Sequence, residues 1–260
     1  MNDIDESTAP LLDHLIELRG RLIKCMIALV IGFAIGAYFA EDIFALLVRP
    51  LTDAFPPGQG KLIYTKLYEA FFVEIKVALF MAFLLAFPVI ALQLWRFVAP
   101  GLYAREKKAF LPFLFASPIL FIAGASLAYF MVMPLAFQFF LGYAGSSGGL
   151  NVEALPAVGD YLDLVMRFVL AFGVAFQLPI LLLLLHRAGL VTREQLIGFR
   201  RYMLVISFLV AAILTPPDII SQFMLGIPLV LLYEGSLILM LITDRKTAKE
   251  KATEDLRSPL

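Results

Sequence analysis

Apolar runs of bilayer-crossing length recur along this chain, and no other feature constrains its fold as strongly. Residues 22–40, 76–94, 110–133 and 161–185 are each predominantly apolar. At 1.5 Å rise, about 20 helical residues cross the ~30 Å of bilayer hydrocarbon. Two further runs, 202–214 and 219–232, are separated only by Thr215-Pro216-Pro217-Asp218. Each is about 20 Å long as a helix. These two predict either a buried hairpin or a locally thinned membrane. The expected fold is all-α: a polytopic membrane protein with six transmembrane helices, the last two short. It is read as one domain over 1–243, followed by a charged, apolar-poor tail at 244–260 that is expected to be disordered.

Composition excludes other classes. Of the 260 residues, 61% are hydrophobic and 16% charged, against about 45–50% and about 25% in soluble domains. A soluble enzyme, a disordered chain, a fibre and a disulfide scaffold are all ruled out. The formal net charge of +0 offers no bulk attraction to nucleic acid. The single Cys25 has no partner for an intramolecular disulfide.

The first ten residues carry Asp3, Asp5 and Glu6 and no Lys or Arg, which does not fit a cleavable secretory signal. Leu11, Leu15, Leu18 and Leu22 then share one helical stripe, and Asp13, Glu17, Gly20, Arg21 and Lys24 another. Ser7 or Thr8 is a candidate cap, with Pro10 in the first turn. The pattern predicts an amphipathic surface helix running straight into the first span.

Orientation follows from Lys and Arg. Sixteen of the 21 fall in the N-terminal stretch, the second and fourth connections and the tail, and three (Arg49, Lys61 and Lys66) in the first connection. The third and fifth connections have none, and Lys76 and Arg167 lie just inside spans. Both termini are therefore expected in the cytoplasm.

Five prolines fall within or beside spans: Pro88, Pro112, Pro118, Pro179 and Pro228. Each removes a backbone donor, and a curved, packed scaffold is expected. Gln177 lies mid-span in VAFQLPI, where an amide is costly unless paired, either to another helix of this chain or to a partner's helix. Thr215, Ser221 and Gln222 cluster near the outer end of the short hairpin. Two carboxylates, Glu17 and Glu106, occupy a face that is otherwise basic. Either they pair locally (Glu17 with Arg21 at i+4, Glu106 with Arg105 or Lys107) or they receive guanidinium groups from a ligand. His14 and His186 do not cluster. No nucleophile elbow, Walker A loop, zincin motif or paired-Cys metal signature is present, so no enzyme chemistry, metal or cofactor is expected.

Three segments together resemble the TatC family of the twin-arginine protein translocase. They are HLIELRGRL at 14–22, FVAPGLY at 97–103 running into Glu106-Lys107-Lys108, and Thr215-Pro216-Pro217-Asp218 with Ser221-Gln222. The resemblance spans roughly residues 10–240. It implies a core receptor subunit of a translocase that moves folded precursors by the protonmotive force. Signal-peptide recognition would then fall to Glu17, Arg19, Phe97, Tyr103 and Glu106. Single-span TatB-type and TatA-type partners would meet Gln177, Thr215 and Gln222. Pro50 and Asp218 fall on sensitive family positions. Other copies of the chain within the receptor complex and the lipid bilayer complete the implied partners; nucleic acid is not among them. A bacterial inner membrane is the implied location. This chain has Gln177 where the family has Glu or Gln, and Ala212 where a bulkier residue is common. The rival class, a secondary transporter of a small solute, predicts inverted repeats and several midplane polar residues; the chain shows no repeat and one strong midplane polar residue, Gln177.

Overall fold

The computed structural model describes residues 3–56, 60–102, 107–143, 145–147, 150–215 and 219–255, with side chains for 14–56, 60–97, 115–143, 153–215 and 219–245. The sequence-identified Tyr103, Glu106 and Asp218, with Pro216 and Pro217, lie outside the described residues. Within them the chain forms helices α1 (Asp3–Tyr38), α2 (Ala40–Thr52), α3 (Glu69–Leu102) and α4 (Lys107–Leu127), then a π-helical turn (Ala128–Val132) and α5 (Met133–Leu141). A two-stranded antiparallel hairpin of β1 (Gly145–Ser147) and β2 (Leu150–Val152) precedes α6 (Val158–Ala175), α7 (Leu178–Arg187), α8 (Arg193–Leu214) and α9 (Ile219–Asp255).

Six helical segments are long and apolar enough to cross a membrane: His14–Tyr38, Glu69–Phe97, Phe115–Leu141, Val158–Arg187, Arg193–Leu214 and Ile219–Arg245. Many side chains on their outer surfaces are large and apolar, among them Ile23, Met26, Ile27, Val30 and Ile31 on α1. Exposed apolar faces of this extent suit lipid rather than water as solvent.

The last two helices are not short. Helix α8 has 22 residues and α9 has 37. The run 202–214 is the C-terminal part of α8 and 219–232 the N-terminal part of α9; each helix extends beyond its run, away from residues 215–218, into a segment that carries charges. Backbone hydrogen bonding continues past the point where apolarity stops. Helix α9 likewise continues to Asp255, through the segment 244–255 that composition assigns to disorder. That segment, DRKTAKEKATED, is rich in the helix formers Ala, Lys and Glu.

Contacts group the chain into two compact units. One comprises Met1–Ile119 with Tyr129–Arg167, the other Leu120–Ala128 with Phe168–Leu260. In the first unit, α1 packs antiparallel on α3 at very close range. A Cβ on Gly32 would fall 2.8 Å from the Ala82 carbonyl oxygen, and one on Gly36 2.6 Å from that of Ala78. Gly32 and Gly36 form a Gly-x-x-x-Gly pair, which lets two backbones approach in lipid. Helix α3 also meets α6 through Lys76, whose Nζ lies 2.8 Å from each Asp163 carboxylate oxygen. The pair neutralises two charges inside apolar spans.

The loop before α3 is pinned onto the start of α6. Ile63 and Ala157 form a parallel bridge, with Ile63 N–H on the Pro156 carbonyl (3.2 Å) and Val158 N–H on the Ile63 carbonyl (2.9 Å). Glu69 closes the same junction from α3. Its Oε1 accepts the Gly159 N–H at 2.7 Å, and its Oε2 accepts Thr65 N–H, Thr65 Oγ1–H and Lys66 N–H at 2.6, 2.9 and 3.1 Å.

In the second unit, α8 and α9 form an antiparallel pair. The Tyr233 hydroxyl donates to the Leu196 carbonyl (2.6 Å), Arg193 Nε to the Leu237 carbonyl (3.3 Å), and Phe208 meets Phe223 edge to face. Arg200 pairs with Glu234 at 2.6 Å. Helix α7 ends at Gly189, whose φ of +71° suits only glycine without strain. Leu190 N–H on the Leu185 carbonyl and Gly189 N–H on the His186 carbonyl make this end a Schellman cap. Helix α8 opens on a capping box between Thr192 and Gln195. His186, in the last turn of α7, has its Nε2 3.1 Å from the α9 residue Asp244.

Of the five span prolines, Pro179 alone falls at a break between separate helices. Helix α3 runs through Pro88, α4 through Pro112 and Pro118, and α9 through Pro228. Pro179 has no N–H for the Ala175 carbonyl, and the chain turns at Phe176 and Gln177 before α7 begins.

Candidate functional site

In the first unit, the antiparallel packing of α1 on α3 brings residue 14 to residue 97 and residue 21 to residue 93. The His14 ring stacks on Phe97 with centroids 4.2 Å apart and planes 17° from parallel. Its Nδ1 stands 4.0 Å from Glu17 Oε2. The other carboxylate oxygen of Glu17, Oε1, accepts from Arg21 through Nε at 3.0 Å and through Nη2. Local i+4 pairing, one of the two alternatives for Glu17, is therefore present. Arg21 Nη1 also lies 3.5 Å from Oε1 of Gln93, which is buried on α3.

The site is thus a half-exposed carboxylate between a guanidinium and an aromatic stack. The Glu17 side chain is 39% exposed and that of Arg21 19%. A surface helix pair of this type contributes on the order of 0.5 kcal/mol. Its value is geometric: it fixes the carboxylate on a helix face with one oxygen 4.0 Å from the His14 ring nitrogen. Arg19, on the adjoining face of α1, is exposed. Phe97 is half-buried. Two residues before it, Trp95 is buried and donates its indole Nε1–H to Ser117 Oγ on α4 at 3.1 Å. That bond anchors the end of α3 carrying Gln93 and Phe97.

Of the sequence-identified site residues, the structure therefore places Glu17 and Phe97 around one shared neighbour, His14. Sequence alone presents His14 as an isolated surface histidine. Its i,i+3 spacing from Glu17 is the signal that could have found it. Gln93 has no such signal, because its role depends on the register of α1 against α3.

Pro50 sits inside α2 and is buried. Proline lacks the N–H that would bond the carbonyl four residues earlier, that of Leu46. The Tyr129 hydroxyl, in the π-helical turn, donates to the Leu46 carbonyl at 2.6 Å. Tyr161 donates to the adjacent Leu47 carbonyl at 2.7 Å. Pro50 thus directs a free carbonyl outward, where two tyrosines tie α2 to the rest of its unit.

In the second unit, the Thr215 hydroxyl is buried and donates to the Ala211 carbonyl at 2.9 Å, closing the end of α8. Gln222 Nε2 donates across the hairpin to the Phe208 carbonyl at 3.2 Å. Both residues thus serve the last turns of α8. Gln177 is half-buried at the first cap position of α7, where the chain turns between α6 and α7. Among the described residues no group of three or more His, Cys, Asp or Glu is placed to hold a metal ion.

Comparison with known proteins adds a family. The model of the family described as Sec-independent protein translocase protein (TatC) matches residues 13–228. The Sec-independent protein translocase protein TatC of Magnetococcus marinus is 48% identical over 255 residues, covering 98% of this chain and 92% of that protein. Its namesake in Aquifex aeolicus is 44% identical, covering 91% and 97%, and that of Escherichia coli K12 is 41% identical, covering 88% and 87%. A crystal structure of the twin arginine translocase receptor TatC in the detergent DDM superposes with a TM-score of 0.77 at 45% identity, covering 87% of this chain and 98% of that one.

Proposed function

This chain belongs to the TatC family of Sec-independent protein translocase proteins, and we propose that it is the receptor subunit of its translocase, binding twin-arginine signal peptides of folded precursors. The observation that carries the reading is Glu17. Its carboxylate already holds a guanidinium, that of Arg21, and keeps its second oxygen beside His14, whose ring stacks on Phe97. A seat that accepts one guanidinium has the charge and planarity to accept another. The exposed Arg19 and the neighbouring Arg21 and Lys24 repel cationic peptides that lack a good carboxylate contact, which sharpens selection.

In this reading both termini are cytoplasmic and the chain lies in a bacterial inner membrane. Residues 1–243 act as one six-span body with a cytoplasmic tail at 244–260. Glu17, Arg19 and Phe97, with Tyr103 and Glu106 of the following loop, form the signal-peptide site. Single-span TatB-type and TatA-type subunits dock near Gln177, Thr215 and Gln222, with further copies of the chain in the same complex, and transport draws on the protonmotive force. Asp218 and Pro50 are function-sensitive positions. An interhelical polar contact in lipid is worth about 1–2 kcal/mol at most, which suits reversible recruitment. The chain does no chemistry of its own in this scheme and needs no cofactor.

Site-specific photocrosslinking tests it. Probes at Leu18 and at Glu106, in membranes containing a precursor with an Arg-Arg signal, are expected to capture the signal. The crosslinks are expected to vanish with Lys-Lys. Equal capture of both signals sinks the assignment of these positions, and no capture in export-active membranes sinks the receptor reading.

A further inference from the structure

Arg21 is bonded to Glu17, and its geometry sets a condition on any ligand of that carboxylate. Two of its nitrogens, Nε and Nη2, converge on Oε1 of Glu17, while its third, Nη1, lies 3.5 Å from the amide oxygen of buried Gln93. An incoming guanidinium therefore meets a carboxylate with one oxygen taken. To bind with both of its forks it must displace Arg21.

We infer that Arg21 is a built-in competitor for Glu17: it occupies the carboxylate in the unliganded receptor, releases it while keeping Nη1 on Gln93 when a signal arginine arrives, and thereby sets the affinity that any cationic signal must reach to bind. The inference rests on the receptor reading above and concerns the same site.

The physics is an exchange. A guanidinium replacing a guanidinium exchanges two charge-assisted N–H···O bonds for two of the same kind, and the net change is small. The displaced Arg21 is not left stranded, because Nη1 keeps the bond it already makes to the Gln93 amide oxygen. An ammonium makes a point contact without the planar fork. It cannot match what it displaces, so the equilibrium stays with Arg21. Both ligands must break the same pairing, so the competitor weakens both by one factor, and the ligand whose own bonds are poorer is the first to fall below useful occupancy.

The exchange fixes the sign of each effect. Removing the competitor must tighten binding of both signals by the same factor, because both need the same carboxylate set free. A residue that merely buttressed Glu17 would do the reverse, and its removal would weaken both. Gln93 acts in the opposite direction: without its amide oxygen the displaced Arg21 has no acceptor, and the arginine signal must bind more weakly.

The test is an equilibrium titration of a fluorescent Arg-Arg signal peptide, and of its Lys-Lys counterpart, into membranes carrying the full chain. Arg21→Gln is expected to bind the Arg-Arg peptide roughly two- to tenfold tighter, the range between an exposed and a desolvated charge pair, and to bind the Lys-Lys peptide tighter by the same factor. Arg21→Lys, which keeps the charge and loses the fork, is expected to fall between Arg21→Gln and wild type. Gln93→Leu is expected to weaken Arg-Arg binding while leaving the chain assembled in the membrane. In a Glu17→Gln background the effect of Arg21→Gln should disappear. Unchanged or weaker binding of both peptides by Arg21→Gln, or tightening of one peptide alone, overturns the competitor role while leaving the receptor reading intact. A wild-type chain that binds both peptides equally, or a Glu17→Gln chain that binds as wild type does, overturns the receptor reading and this inference with it.

Discussion

Tyr129 donates its hydroxyl to the Leu46 carbonyl, and that carbonyl is the one left without a helical partner by Pro50. A proline inside a short helix and a tyrosine from a distant π-helical turn are thus two halves of one hydrogen-bonding solution. Tyr129→Phe orphans the carbonyl and is expected to cost about 1–3 kcal/mol. In a Pro50→Ala background the residue at 50 again has an N–H for Leu46, and the same change should cost far less. Denaturant unfolding in detergent, run as a double-mutant cycle, reads the coupling. Equal costs in both backgrounds would show that Pro50 and Tyr129 act independently.

Gly20 and Gly36 lie on the same helix and should respond to alanine with opposite sign. A Cβ on Gly36 falls 2.6 Å from the Ala78 carbonyl oxygen, a backbone atom that cannot step aside, whereas one on Gly20 meets nothing within 4 Å. Gly36→Ala is expected to destabilise by about 1–3 kcal/mol, the usual cost of overpacking. Gly20→Ala should gain up to about 1 kcal/mol of helix propensity. Thermal unfolding midpoints in detergent compare the two. If both substitutions stabilise, α1 and α3 do not pack as closely as described.

These two cases mark where the sequence is readable. Six apolar runs locate the six span-length helices, because lipid imposes its thickness on composition. The Glu17–Arg21 pair is legible because i+4 spacing is local. Gly32 and Gly36 carry a close-packing pattern that says more about helix contact than the prolines do, since of those only Pro179 splits a span. The pairing of Lys76 with Asp163, and of Glu69 with Gly159, links residues about ninety positions apart, and no local pattern encodes which helices will meet. The lengths of α8 and α9 are hidden for a different reason. Apolarity marks where lipid ends, and a helix continues wherever its backbone bonds do. The π-helical turn that presents Tyr129 has no compositional signature at all.

Glu69 organises the loop between α2 and α3 by accepting four donors from three residues. A carboxylate is acceptor-only, so Glu69→Gln turns part of the group into a donor facing N–H groups. Faster amide hydrogen exchange is expected at Thr65, Lys66 and Gly159 together, with little change in the interior of α3. Gly159→Ala attacks the same contact from the other side, since its Cβ would lie 2.8 Å from Glu69 Oε1. Exchange that rises at only one of the three amides in both variants would separate the loop into independent turns.

Trp95 offers a direct optical view of the end of α3 that carries Gln93 and Phe97. It is the single tryptophan of the chain, it is buried, and its indole N–H is held by Ser117 Oγ on α4 at 3.1 Å. Ser117→Ala removes that acceptor from a buried donor and is expected to cost about 1–3 kcal/mol. Trp95→Phe removes the donor as well as the need for it, and should cost less than its loss of ring volume alone suggests once Ser117→Ala is already present. The emission of Trp95 is expected to shift in Ser117→Ala, because the indole loses a polar partner. If Trp95 anchors Phe97 for ligand contact, the same variant should also weaken the Arg-Arg signal peptide without altering the Arg-Arg to Lys-Lys ratio, since the carboxylate and its competitor are untouched. A changed ratio would mean that the α3 terminus selects between arginine and lysine as well as holding the peptide, and the division of labour between Glu17 and Phe97 would have to be redrawn.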